Sequence, residues 1–276
     1  MKKYLFITHL TPIVKRSVLR QNMFEVMQQS LLDQSYKNWK ALFIGEKEEV
    51  SGNIKEVDIT NTSDLSNIYL RPDVVDYIND CDYIVKLDDD DVILPNSLQL
   101  ATKLEFDCYC DLYHTFYDVS SGLVTQQKRN WIAATCIHKK EHAIIHQNGL
   151  HIADNFIDSL FYGEHGKDWI GYYKNKNIVY ANRNSPVYVR VLSPTSITAG
   201  AKKFPVQKIE DIDINHYYQY LKEFGAWNDK RILLFNVYKK QLNNYWKSFS
   251  GIEIKKIPNI SLFQKSKDKV KYILNK

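Results

Sequence analysis

Residues 83–95 constrain this chain more than any other stretch. They open as a strand-type run, Tyr83, Ile84, Val85, and close in four consecutive carboxylates, Asp88, Asp89, Asp90 and Asp91. Pro95 follows, with a new apolar segment (Leu98, Leu100, Leu104) behind it. Strand, acid cluster, turn and helix in that order is how an α/β protein presents charge at the carboxyl edge of a sheet, where such folds place their ligands. Adjacent carboxylates repel, and more strongly beside a dry strand end than in water. A hard divalent cation relieves that repulsion, because Mg²⁺ takes oxygen ligands from one or two carboxylates and completes its shell with water and substrate phosphates. An Asp run also serves as a solvated turn or a helix cap, so the rest of the chain has to decide.

The preceding residues supply the context. Residues 3–9 read as a buried strand ending at Thr8 and His9. Over 16–32, apolar residues at Val18, Leu19, Met23, Val26, Met27, Leu31 and Leu32 recur at gaps of three and four, the face of a helix. A second strand over 40–44 stops at Gly45, with Glu46 opening an acidic loop, and a third is expected near 54–59. A helix over 73–79 follows Pro72, and the strand at 83–87 comes next. Alternating strand and helix predicts a parallel sheet with crossover helices. Further on, the pattern predicts a helix over 95–105, a strand tract over 107–117 and strands at 123–127 and 131–137 paired with each other. It also predicts a helix over 138–149, strands at 178–181 and 187–191, and helices over 213–224 and 230–249. Lys, Tyr and Asn become more frequent after Pro194, so a main α/β domain is expected over 1–204 and a helical extension over 205–276.

Composition narrows the function classes. A 44% hydrophobic, 25% charged chain of 276 residues suits a soluble protein with a sizeable core. A net charge of +5 fits an anionic ligand and is far from the dense basic patches of a nucleic-acid binder, so no nucleic-acid partner is expected. No apolar segment approaches the ~20 residues of a membrane span, and the first residues read as a strand rather than a leader. A cytoplasmic protein is expected, with peripheral contact at the inner membrane face possible through the lysine-rich end and a homodimer possible. Cys81, Cys108, Cys110 and Cys136 lack finger-type metal spacing and read as buried, reduced thiols. His138, His142 and His146 recur at a spacing of four, which on a helix makes one solvated or acceptor-facing stripe. Trp131, Tyr162 and Trp169 offer flat faces on which a ligand ring could stack, with core packing as the default for each.

Four segments taken in order resemble glycosyltransferase family 2 and its GT-A fold. The first runs from Ser30 through Gln34, Ser35, Tyr36, Asn38 and Trp39 to Ile44, similar to the family's helix, turn and second strand. The second is the Asp88–Asp91 stretch, similar to the strand carrying the family's DxD motif. Third, Gly166, Lys167, Asp168 and Trp169 stand where the family has its catalytic-base turn. Fourth, the segment from Tyr188 through Arg190 to Thr198 is similar to the family's closing segment. The resemblance covers roughly residues 3–198.

It implies a GT-A α/β fold and an inverting, metal-dependent transfer from a nucleotide sugar, UDP-sugar favoured, to a saccharide or lipid-linked saccharide. Bacterial surface-polysaccharide assembly is the implied setting. Asp88, Asp90 and Asp91 would bear Mg²⁺ or Mn²⁺, with Asp88 also approaching the nucleotide. Asp89, at the motif's variable position on the nucleotide side, is expected to be solvated and tolerant of alanine. Asp168 would take the acceptor's proton, and Arg190 would contact phosphate with its planar fork. Thr8, His9, Glu46 and Arg71 are candidates for lining the nucleotide. The chain departs from the family pattern at Lys167 (usually Glu), at Gly45-Glu46 (usually Asp) and at Leu192 (often a metal-binding His). Those departures keep open a catalytically degenerate nucleotide-binding domain. A nucleotidyltransferase is the third reading, disfavoured because no glycine-rich phosphate loop follows the first strand.

Overall fold

A computed structural model describes residues 1–16, 18–46, 53–58, 68, 71–119, 123–129, 135–142, 173–193, 232–234, 240 and 242–244. The first strand, β1 (Tyr4–His9), is apolar on both faces because both are covered: Leu5 and Ile7 enter one core, Tyr4 and Phe6 the other. Parallel to it lie β2 (Trp39–Gly45) on one side and β4 (Tyr83–Lys86) on the other, with β3 (Ile54–Asp58) outside β2. Among the described residues the sheet order is β10-β6-β9-β4-β1-β2-β3. Here β6 is Cys108–Cys110, β9 is Ile137–Lys139 and β10 is Ile178–Tyr180. Only β9 in this set runs antiparallel to its neighbours. The α/β class with a mostly parallel sheet flanked by helices is therefore observed.

Helix α1 (Val18–Leu32) carries two adjacent apolar stripes. Phe24, Met27 and Leu31 pack on the main sheet, while Leu19, Met23 and Val26 pack on a second sheet. Helix α2 (Pro72–Asn79) covers the opposite face of the main sheet with Val74 and Ile78, and begins with proline at its first position, where a missing N–H costs nothing. The second sheet has the order β12-β8-β7-β11-β5. Its strands are β5 (Val92–Ile93), β7 (Tyr113–Asp118), β8 (Leu123–Lys128), β11 (Tyr188–Leu192) and β12 (Ile232–Leu234). Among the described residues no helix is long and apolar enough to cross a membrane.

Several expectations are corrected. The tract over 107–117 is two strands in two sheets, divided at Asp111. That buried carboxylate accepts the backbone N–H groups of Val187 (2.9 Å) and Tyr188 (3.3 Å), which fixes the chain where it leaves one sheet for the other. Strand β8 pairs with β7 and β12, while Ile137, at the end of the expected 131–137 partner, lies in the main sheet; residues 130–134 lie outside the described set. Where a helix over 138–149 was expected, the described part is β9 followed by a short 3-10 turn, Lys140–His142, because the gap between β4 and β6 offers backbone partners on both sides; residues 143–149 lie outside the described residues. The three-histidine stripe does not form: His138 is buried in the sheet core, His142 meets Asp107 at 3.4 Å, and His146 lies outside the described residues. Helix α3 (Ser97–Ala101) is shorter than the pattern over 95–105, since Leu104 and Phe106 turn back onto the sheet. Ile232–Leu234 forms strand β12 on the edge of β8 where a helix over 230–249 was expected; residues 240 and 242–244 are helical. The segment 213–224 lies outside the described residues.

Candidate active site

The carboxyl ends of β1, β2 and β4 lie side by side, so His9, Glu46 and the acid run are delivered to one edge of the sheet. After β4 the chain passes through Asp88–Asp91 and enters β5 of the second sheet, which pairs with β11. The acids therefore occupy the seam between the two sheets. One oxygen each from Asp88, Asp90 and Asp91 lie within 4.8 Å of one another, the grouping expected for a metal. Asp91 is buried and its Oδ1 accepts the backbone N–H of Val191 at 2.8 Å, locking the run to β11.

Asp89 differs from the expectation. It is 2% exposed, not solvated. Its carboxylate accepts the Thr11 backbone N–H (2.7 Å) and hydroxyl (3.3 Å) and pairs with the Arg20 guanidinium. Arg20 bridges to Asp90 through its other terminal nitrogen. Sequence reading missed Arg20, Thr11 and Lys86. The available signal was topological: the first turn of the helix after β1 must begin at the carboxyl edge, so Arg20 and the positive end of α1 face the acids. Lys86, buried at the end of β4, stands 3.9 Å from Asp88 Oδ1.

Burial pushes the Asp90 carboxyl up to about 6; Arg20 opposes this and the neighbouring Asp89 and Asp88 reinforce it. Asp91 is raised well above the usual range, first by burial and then by Asp90 and Asp88. Burial works against the Arg190 charge, but Asp91 in front of it outweighs that and holds the guanidinium firmly protonated. Even with three cations nearby, the cluster carries more negative charge than its surroundings stabilise. Mg²⁺ or Mn²⁺ fits this donor set: Asp88, Asp90 and Asp91 are hard oxygen donors, and Asp91 Oδ2 and Asp90 Oδ1 are not the oxygens taken by Val191 and Arg20.

The remaining candidates divide. Arg190, on β11, is brought against the acids. His9 reaches the same edge, and burial followed by the Lys86 charge lowers its imidazole to about 4, so it is neutral there at pH 7. Glu46 accepts the Ile13 N–H at 3.1 Å, which ties the loop after β2 to the loop after β1. Thr8 is fully buried and presents no surface to a ligand, correcting its assignment to the pocket lining. Arg71 pairs with Asp73 at 3.1 Å beside α2, where it is held by that helix and not by the acid cluster. Leu192 is buried in β11 opposite Asp118. Asp168, Lys167, Trp131, Tyr162, Trp169 and Thr198 lie outside the described residues.

No protein-family model matches the sequence, and no curated protein matches it. The fold is similar to solved structures. Residues 1–349 of TarS from S. aureus share 13% identity at a TM-score of 0.40, over 81% of this chain and 71% of that one. The apo-form glycosyltransferase GlyE of Streptococcus pneumoniae TIGR4 shares 15% identity at a TM-score of 0.39, over 96% of this chain. This chain spans 64% of GlyE's length. A putative nucleotide-diphospho-sugar transferase from Desulfovibrio desulfuricans G20 shares 10% identity at a TM-score of 0.38, over 82% of this chain and 96% of that one. Identities and scores at this level leave the functional argument to the site itself.

Proposed function

We propose that the chain is a GT-A-type glycosyltransferase. It would move a sugar from a nucleotide-sugar donor, UDP-sugar favoured, to a saccharide or lipid-linked saccharide acceptor, with inversion, in surface-polysaccharide synthesis. The observation that carries this is the convergence of Asp88, Asp90 and Asp91 oxygens within 4.8 Å at the carboxyl edge of a parallel sheet, with Arg190 against them. In the reaction an acceptor hydroxyl attacks the anomeric carbon, the bond to the diphosphate oxygen breaks, and the proton passes to a base. Bound Mg²⁺ or Mn²⁺ would supply charge stabilisation to the departing diphosphate. Asp88, Asp90 and Asp91 would hold it, and Arg20 keeps Asp90 oriented by pairing with its other oxygen. Arg190 is assigned to the phosphates, His9 and Glu46 to the nucleotide end, and Asp168 to the proton.

Calorimetry with UDP-, GDP- and dTDP-sugars, with and without Mn²⁺, tests the reading. Metal-dependent binding of one of them is expected, and its loss in Asp90→Ala and Asp91→Ala follows. Absence of any metal-dependent nucleotide-sugar binding overturns it. Replacing Arg190 by Ala should lower kcat by about 10²–10³-fold, the scale of losing one preorganised donor to developing charge. Buried Leu192, where relatives of the expected family often have a metal-binding His, favours a second reading, a binding domain without turnover. Nucleotide-sugar binding with no release of nucleoside diphosphate in the presence of a panel of saccharide acceptors would select it.

A further inference from the structure

A second set of chemistry-bearing side chains lies in the main sheet, away from the acids. Strands β6 and β9 pair antiparallel with Cys108 opposite His138 and Tyr109 opposite Ile137. Side chains on a strand alternate between faces, so Cys108 and Cys110 share a face of β6, and His138 on β9 with Cys136 just before that strand continues the face. All four are fully buried in or beside the same core. Sγ of Cys108, Sγ of Cys136 and a ring nitrogen of His138 lie within 4.8 Å of one another. Cys110 stands two residues along the same face of β6, next to this group.

The histidine is oriented as a ligand would be. Its Nδ1 is 2.7 Å from the hydroxyl of the fully buried Tyr173, and its Nε2 faces Cys136 Sγ at 2.8 Å. A metal-bound histidine engages an oxygen through one ring nitrogen and offers the other to the ion. Three thiols and an imidazole make a soft donor set, suited to zinc and poorly suited to magnesium. Lys86 follows Ile84, which pairs with His138, by two residues on β4, so its buried ammonium lies on the same face. A zinc ion with three thiolates and one imidazole carries one net negative charge, and Lys86, shared with Asp88 at 3.9 Å, would offset part of it.

The geometry points to a structural Zn²⁺ site formed by Cys108, Cys110, Cys136 and His138. Zinc takes thiolates, so binding would release the three thiol protons and leave a closed, four-coordinate ion pinning β6 to β9. Because β9 pairs directly with β4, the ion would stiffen the strand that delivers Asp88–Asp91.

The chain expressed with added Zn²⁺ should keep one zinc per chain after exhaustive dialysis against metal-free buffer, which removes weakly held Mg²⁺ or Mn²⁺. The Co²⁺-substituted protein should show thiolate-to-cobalt charge-transfer absorption and the strong visible bands of a tetrahedral ion. A mercurial reagent should release zinc as thiols are titrated. Tyr173→Phe, which leaves every ligand in place, should weaken zinc affinity about 10–100-fold. Asp90→Asn should leave the zinc content unchanged. Cys136→Ser should lose the ion; if it fails to fold, the wild-type cobalt spectrum and the Tyr173→Phe affinity still decide. Folded wild-type protein that retains no zinc and gives no thiolate–cobalt absorption overturns the assignment. So does zinc that persists in folded Cys136→Ser with the wild-type cobalt spectrum.

Discussion

Asp89 and Asp90 are neighbours in sequence with different work. Asp89 is enclosed by Thr11 and Arg20, so removing it leaves the Thr11 amide without its acceptor and Arg20 with Asp90 alone of the two carboxylates. Asp89→Ala is expected to cost about 1–3 kcal/mol, the range for leaving a buried donor unsatisfied, read as a lower midpoint in urea. This reverses the tolerance that the motif's variable position implied. Asp111 gives a pH signature. Burial, outweighing the Val187 and Tyr188 amides, raises its carboxyl from 3.8 to about 7. The native state thus binds a proton that the unfolded chain has already lost between those values. The stability this group contributes is complete below the unfolded pKa and is lost as pH rises through about 7. Denaturation of wild type and Asp111→Asn across this range, with EDTA present, should give a difference that shifts against wild type as pH rises. A flat difference would remove Asp111 as the cause.

At the scale of elements, periodicity worked where one face decided the structure. Helix α1 and strands β1, β2 and β4 follow their apolar patterns because each meets a core formed largely by nearby sequence. The pattern failed where distant strands decided. His138 has helical spacing to His142, yet the edges of β4 and β6 capture its backbone. The cysteines are buried and free, as expected. A finger-type spacing test rejects Cys108 and Cys110, whereas a strand's period of two puts them on one face. Element ends also pack tightly. A Cβ added at Gly45, the last residue of β2, would lie 2.6 Å from Leu10 Cβ, backed by other atoms of the same side chain. Gly45→Ala should therefore push the loop after β1 and cost about 1–3 kcal/mol, with weakened nucleotide-sugar binding because Glu46 and Ile13 shift with it. Unchanged stability and affinity would show that Leu10 moves aside freely.

Across the whole molecule, the second sheet draws on residues from far apart in the chain. β5 and β11 meet across almost one hundred positions, and β12 closes the other edge from beyond residue 230. Leu242 joins Met23, Val26 and Val191 in the same core, and Asn243 accepts the Tyr117 hydroxyl at 2.9 Å. Leu242→Ala should cost about 2–5 kcal/mol, and a chain ending at 204 should be less stable by more than that, both measured by thermal unfolding. If truncation leaves stability intact, this region is an appendage and not part of the core. The sequence by itself determined the α/β alternation and the carboxyl-edge position of Asp88–Asp91, because these depend on local period and on the topology of parallel strands, while the grouping of Asp88, Asp90 and Asp91 was what the resemblance to the family's motif implied. Tertiary structure alone decided that Asp89 is buried on Arg20, that Arg190 faces the acids and that three cysteines and a histidine share one face. Those facts depend on which distant strands pair, and pairing energy is spread over backbone partners that no single segment records.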